Sequence, residues 1–136
     1  MSSSRQTERV VTLAVGSPRI VALSGSTRFT AAFAKAQNDE TIAGRIVLTV
    51  GSVTQPDDEL FASMDTAERR SLKAKLDVLH QHKIALADEV LVLNVGGYIG
   101  DSTLREILYA ISLKKDIRWL EVPSQELLQQ FEMRSK

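Results

Sequence analysis

The apolar positions of the chain fall into short runs broken by turn-forming residues, alternating with longer stretches that carry helical spacing. Residues 9–15 (VVTLAVG) read as a strand that Gly16, Ser17 and Pro18 stop. The run 19–23 (RIVAL) reads as another, followed by the turn-rich SGSTRF. From about Phe29 to Ala43 the alanine-rich sequence predicts a helix. RIVLTV at 45–50 is β-branched and predicts a strand, while residues 51–63 lack periodicity and read as a loop. A helix is expected over 65–87, with Leu72, Leu76 and Leu79 along one face. Asp88 and Glu89 introduce the most apolar strand, residues 90–95. The turn GGYIGDS then leads into a helix from about Thr103, striped by Leu104, Ile107, Leu108 and Ile111. Residues 117–121 (IRWLE) are a last strand, and Ser124 is placed to cap a C-terminal helix.

Strands alternating with helices are the mark of parallel βαβ units with right-handed crossovers. The expectation is one Rossmann-like (flavodoxin-like) three-layer α/β domain over 9–136, with a mainly parallel sheet of about five strands, behind a flexible tail at 1–8. In such folds ligands sit beyond the carboxyl ends of the strands, at a switch point in strand order. The glycine-containing turns 24–28 and 96–102 each follow a strand and open a helix, which puts both on that edge.

Composition narrows the field. The chain has 136 residues, 43% of them hydrophobic, enough for one core. Lysine plus arginine equals aspartate plus glutamate at 17 each, so no net field favours nucleic acid or an acidic membrane. The chain has no cysteine, which removes disulfides, thiolate metal sites and a cysteine nucleophile. Met1 to Glu8 is polar, unlike a signal peptide, and no apolar run nears the ~20 residues of a membrane span. The expected location is cytoplasmic, and the expected partner a small molecule.

Two turns carry the candidate chemistry. In the first, Gly25 lets a ligand approach the backbone, Ser26 and Thr27 offer hydroxyls, and Arg28 offers a forked cation, a set suited to a phosphate at a helix N-terminus. The plain alternative is a strand-to-helix turn with Ser or Thr as the cap. In the second, Glu106 stands one turn into its helix, where a carboxylate can meet oxocarbenium charge at a sugar carbon. Against that, Thr103-Leu104-Arg105-Glu106 is also a capping box. Asp101 and Ser102 can orient a ligand hydroxyl or act as caps. Asn94 can contact ligand or tie down the turn, and Tyr98 can stack on a base or fill a gap.

Asp77, His80 and Lys83 recur at steps of three on the 65–87 helix. His80 is a candidate acid for a leaving base and Lys83 a candidate phosphate ligand; the competing reading is a solvated face, with Lys83 complementing the helix dipole. His80 and His82 point different ways on a helix, so no metal site is expected. Asp57, Asp58 and Glu59 read as a solvated loop tip, and Trp119 as core or subunit interface.

SGSTRF at 24–29, LADEVLVLNV at 86–95 and GDSTLREILYA at 100–110, in that order and spacing, resemble the nucleoside 2-deoxyribosyltransferase superfamily, which includes deoxynucleoside-monophosphate N-glycosidases. The resemblance spans about residues 19–121. It implies that Glu106 is the nucleophile and that Ser24, Gly25, Ser26, Thr27 and Arg28 contact sugar or 5′-phosphate. Where the transferases usually place a base-contacting aspartate, this chain has His80, with Asp77 one turn earlier. A second likeness is to the Lonely Guy-type phosphoribohydrolases, through His82-Lys83, Asp88, Gly96-Gly97-Tyr98 and Thr103-x-x-Glu106. Ile99, Gly100, Asp101 and Ser102 interrupt that motif, and His82 stands where the pattern has arginine.

The resulting expectation is cleavage or transfer of the N-glycosidic bond of a nucleoside or nucleoside 5′-monophosphate, with Glu106 as nucleophile and His80 or Asp77 assisting the base. Lys83, Asn94, Gly96, Gly97, Tyr98, Asp101, Ser102 and Thr103 complete the expected binding set. No cofactor is called for. The alternative is a nucleotide-binding or sensing domain without catalysis. Both resembling families assemble, and Leu127, Leu128 and Phe131 form an apolar strip, so a homo-oligomer is expected unless that strip docks on its own sheet.

Overall fold

Val21, Ala22, Leu23 and Ser24 are all fully buried, on both faces of their strand, which demands a packed layer on each side of the sheet. The computed structural model describes residues 16–50 and 62–135, with side chains described as far as Glu132. Its elements are β1 (Ile20–Ser24), α1 (Thr30–Ile42), β2 (Ile46–Leu48), α2 (Thr66–Leu86), β3 (Glu89–Val92), a 3-10 turn (Val95–Gly97), α3 (Asp101–Ser112), β4 (Asp116–Trp119) and α4 (Gln125–Ser135). The expected tail 1–8, the strand 9–15 and most of the 51–63 loop, with Asp57, Asp58 and Glu59, lie outside the described residues.

The fold is α/β and Rossmann-like: a single sheet in the order β2-β1-β3-β4, every pairing parallel, with helices on both faces. Among the described residues it has four strands rather than about five; the remaining candidate, 9–15, lies outside them. The chain runs from β1 to β2 on one side, then crosses back to β3 on the other. The carboxyl ends of β1 and β3 therefore bound the crevice at which strand order switches.

Alternate side chains divide between two cores. Val21, Leu23, Leu91 and Leu93 pack with Phe33 and Ala36 of α1. Ala22, Val90 and Val92 pack on the opposite face with Ile84 of α2, Ile107 and Ala110 of α3, and Phe131 of α4. Phe131 is buried and stacks on Trp119 with centroids 5.9 Å apart, while Leu127 packs against the same core. The C-terminal strip thus docks on the chain's own sheet, the second of the two alternatives. Ser124 caps α4 as expected, its Oγ accepting from Leu127 N at 3.1 Å.

On the α1 face the core ends in a charged network. Glu89 pairs with Arg19 at 2.6 Å and with Arg118, and Arg118 also bonds Glu40. Burial alone pushes the Glu89 carboxyl up, but the hydrogen bonds and charges of Arg19 and Arg118 outweigh it and hold it below the usual carboxylate range.

Two expectations about the helices need correction. On α2, Leu79 is 48% exposed while His80 is 5% exposed, so the inward stripe runs through His80 and Ile84. Of the face weighed as solvated, His80 is turned toward the sheet, where its Nε2 finds a hydrogen-bond partner (below), while Asp77 stays half exposed. On α3 the helix begins at Asp101 with Gly100 as N-cap, so Thr103 lies inside it and cannot cap it. On α2, by contrast, the Asp65 side chain caps the helix by accepting from Glu68 N at 2.8 Å.

Candidate functional site

Three elements converge at the end of β1. Ser24, its last residue and fully buried, donates from Oγ to Glu106 Oε1 at 2.5 Å. The other carboxylate oxygen, Oε2, lies 2.7 Å from His80 Nδ1. His80 Nε2 in turn bonds the Leu23 carbonyl at 3.0 Å. Glu106 keeps 15% of its side-chain surface exposed, so the carboxylate is sheltered but reachable.

This geometry sets aside the capping role weighed for Glu106. Its side chain reaches across to β1 and α2, and the N-cap Gly100 receives no side-chain cap. A glutamate at this point of a capping box would instead bond back to the amide of its own cap residue.

The proton positions follow from what each atom can do. A carbonyl only accepts, so His80 Nε2 carries a hydrogen. The Glu106 oxygen lies off the hydrogen-bonding direction of Nδ1, which makes the 2.7 Å approach a charge contact rather than an aligned hydrogen bond. Of the two ring nitrogens of His80, Nε2 is engaged by the Leu23 carbonyl, while Nδ1 is buried beside the Glu106 carboxylate without an aligned hydrogen bond.

The other expected residues divide by what they touch. Gly25 does permit a close approach, but to the neighbouring strand end: a Cβ there would meet Leu93 O at 3.0 Å. Ser26 contributes its carbonyl to the turn, accepting from Phe29 N at 3.1 Å, and Thr27 lies beside it. Neither caps α1, whose N-cap is Phe29 without a side-chain cap bond, so the plain reading of this turn does not hold. Arg28 is exposed and lies over the Tyr98 ring, 4.1 Å from its centroid.

At the second turn the polar groups are largely engaged by Glu121, which the sequence reading did not single out. Asn94 is buried, donates to Glu121 O at 2.9 Å and accepts from Glu121 N at 3.0 Å. The Gly96 amide donates to the Glu121 carboxylate at 2.8 Å, and the Gly97 amide to Asn94 O at 2.9 Å. Asn94 therefore ties the turn to the end of β4 instead of facing a ligand, and the two glycine amides are spent in the same way. Gly96 and Gly97 are needed for their backbone, with φ of 63° and 81°. Thr103 is buried in the packing of α3, whereas Asp101 is exposed.

On α2, Asp77 is half exposed and lies 3.6 Å from Lys73. Lys73 reaches across to Ser102 Oγ at 3.2 Å, where Arg105 also donates at 3.2 Å. Two cations thus share one neutral hydroxyl at the start of α3. Lys73 stands four residues before Asp77, one helical turn back, a signal present in the sequence. Lys83 donates to Thr49 O beyond the end of β2, and burial pushes its ammonium below the usual lysine range. Asp88, carried by the second likeness, lies at the opposite edge of the sheet, where its Oδ2 accepts from Ile20 N at 2.8 Å. His82 is exposed.

No known family model matches the chain, and neither does any curated protein or solved structure. Among the described residues no helix is long and apolar enough to cross a membrane, and no cluster of His, Cys, Asp and Glu has the form of a metal site.

Proposed function

We propose that this protein cleaves or transfers the N-glycosidic bond of a nucleoside or nucleoside 5′-monophosphate, with Glu106 acting at the anomeric carbon. The observation that carries the reading is the Glu106 carboxylate itself. It is held by Ser24 and His80 at the switch point of a parallel sheet, and it does not serve as a helix cap. A sheltered anion in fixed orientation suits a reaction that develops positive charge on a sugar ring.

In this mechanism a Glu106 oxygen bonds to C1′ as the C1′–N bond breaks, and its electron pair leaves on the base nitrogen, which takes up a proton. Water or a second base then displaces the glutamate. Ser24 and His80 position the carboxylate and divide its charge between its two oxygens. Asp77, half exposed one turn before His80, is the remaining α2 group for the base. Arg28, beside the uncapped α1, and the Lys73–Arg105 pair at α3 supply positive charge for a 5′-phosphate.

One observation favours a second reading, a nucleotide-binding or sensing domain without turnover: His80 is buried, with Nε2 held by the Leu23 carbonyl and Nδ1 packed against Glu106, which keeps it back from the base. Incubation with nucleosides and their 5′-monophosphates, followed by chromatography for free base, separates the two. Released base supports the enzyme. Thermal stabilisation by nucleotides with no base released supports the sensor, and neither response contradicts both.

A further inference from the structure

Arg28 and Tyr98 come from the two turns that follow β1 and β3, and they meet each other. The guanidinium carbon lies 4.1 Å from the Tyr98 ring centroid and 5.4 Å from that of Phe29. Phe29 meets Tyr98 edge-on, with centroids 6.1 Å apart and planes at 75°. Behind Tyr98 the chain is kept clear by Gly100, where a Cβ would lie 3.0 Å from the tyrosine hydroxyl. The ring is thus braced at its edge and beside its hydroxyl, yet 45% of Tyr98 is exposed. Among the described residues no carboxylate pairs with Arg28. A planar, delocalised cation resting on an aromatic face without an ionic partner is loosely held, and it covers the kind of surface on which a heteroaromatic ring stacks.

We propose that Tyr98 is the stacking platform for the base of the ligand and that Arg28 competes with the base for the same ring face. The inference takes from the proposed function only that the ligand is a nucleoside or nucleotide bound at this crevice. Its consequence is a specificity device with opposite effects on two ligand classes. A bare nucleoside must displace Arg28 and offers it nothing in return. A nucleoside 5′-monophosphate displaces it and gives the guanidinium a phosphate to bind, so the same residue opposes one ligand and favours the other.

The test is calorimetric titration in a Glu106→Gln background, so that no bond is cleaved during the measurement. The probes are adenosine, guanosine, cytidine, thymidine and their 5′-monophosphates. Arg28→Ala is expected to tighten nucleoside binding about two- to fivefold, the worth of an exposed cation–π contact, and to weaken monophosphate binding. Tyr98→Ala should weaken both classes, and Tyr98→Phe, which keeps the ring, should retain both. Nucleoside binding that is unchanged or weaker in Arg28→Ala overturns the proposal. So does monophosphate binding that Arg28→Ala leaves intact, full binding by Tyr98→Ala, or the absence of binding by any of the eight probes. Base release is measured separately with Glu106 intact, so a missing activity alongside this binding pattern overturns the proposed function and leaves the platform standing.

Discussion

His80 and Glu106, from consecutive helices, meet with 2.7 Å between Nδ1 and Oε2, and the far nitrogen of the same ring holds the carbonyl of Leu23. The histidine therefore connects the carboxylate to the backbone of β1, while Ser24, the next residue of that strand, holds the other carboxylate oxygen. Glu106 is oriented from both sides by groups that are themselves buried.

Removing either support should cost stability and activity together, in different proportion. His80→Ala leaves both the Glu106 oxygen and the Leu23 carbonyl without their partner and should destabilise the fold by about 2 kcal/mol or more. Ser24→Ala removes one hydrogen bond to a charged group and should cost about 1–2 kcal/mol. Base release should fall in both, on the order of tenfold to a hundredfold, as expected when a reacting group loses its orientation. Melting curves and single-turnover base release measure the two effects. Full activity in Ser24→Ala contradicts the positioning role.

Acid should weaken the fold through Glu89. Its folded-state carboxyl lies below the ordinary value because Arg19 and Arg118 outweigh the effect of burial. The stability it contributes is thus fully present above the ordinary carboxylate range and is lost as pH falls through the lowered folded value. Melting temperature followed downward from neutral pH should drop more steeply for the wild type than for Glu89→Gln. At neutral pH the variant should be less stable by about 2 kcal/mol, less than a fully buried pair because Arg19 and Arg118 are partly exposed. Parallel pH curves contradict the account.

The docking of α4 is tested by Phe131→Ala. The ring is buried and stacked on Trp119, so its loss should cost about 3 kcal/mol and change the fluorescence of the protein's single tryptophan. An unchanged spectrum and melting temperature would mean that α4 does not rest on the sheet.

The fold was legible where local pattern and tertiary packing agree. β1 and β3 are apolar on both faces, so their runs announce buried parallel strands, and the turns after them follow at once. Of the candidate site, Ser24, His80 and Glu106 could be singled out as residues, but their contacts could not be read from the sequence. Ser24 and Glu106 are 82 positions apart, and no window along the chain joins them. The inward face of α2 was misread for a related reason: His80 is polar, and polarity reads as exposure unless its distant partners are known. Thr103-x-x-Glu106 misled in the opposite way. The pattern is local and correct as a pattern, but Gly100 starts the helix earlier, and Ser24 and His80 draw the glutamate away. Glu121 left no local sign, because its role depends on β4 ending beside Asn94.

The central claim is that Glu106 acts on the ligand instead of shaping its helix, and Glu106→Gln tests it most directly. The amide keeps the shape and can still accept from Ser24, so the melting temperature should stay close to that of the wild type. It cannot supply anionic charge or form the bond to C1′, so base release from the nucleoside or nucleotide that the wild type cleaves should fall by orders of magnitude. Base release by Glu106→Gln at the wild-type rate would contradict the account.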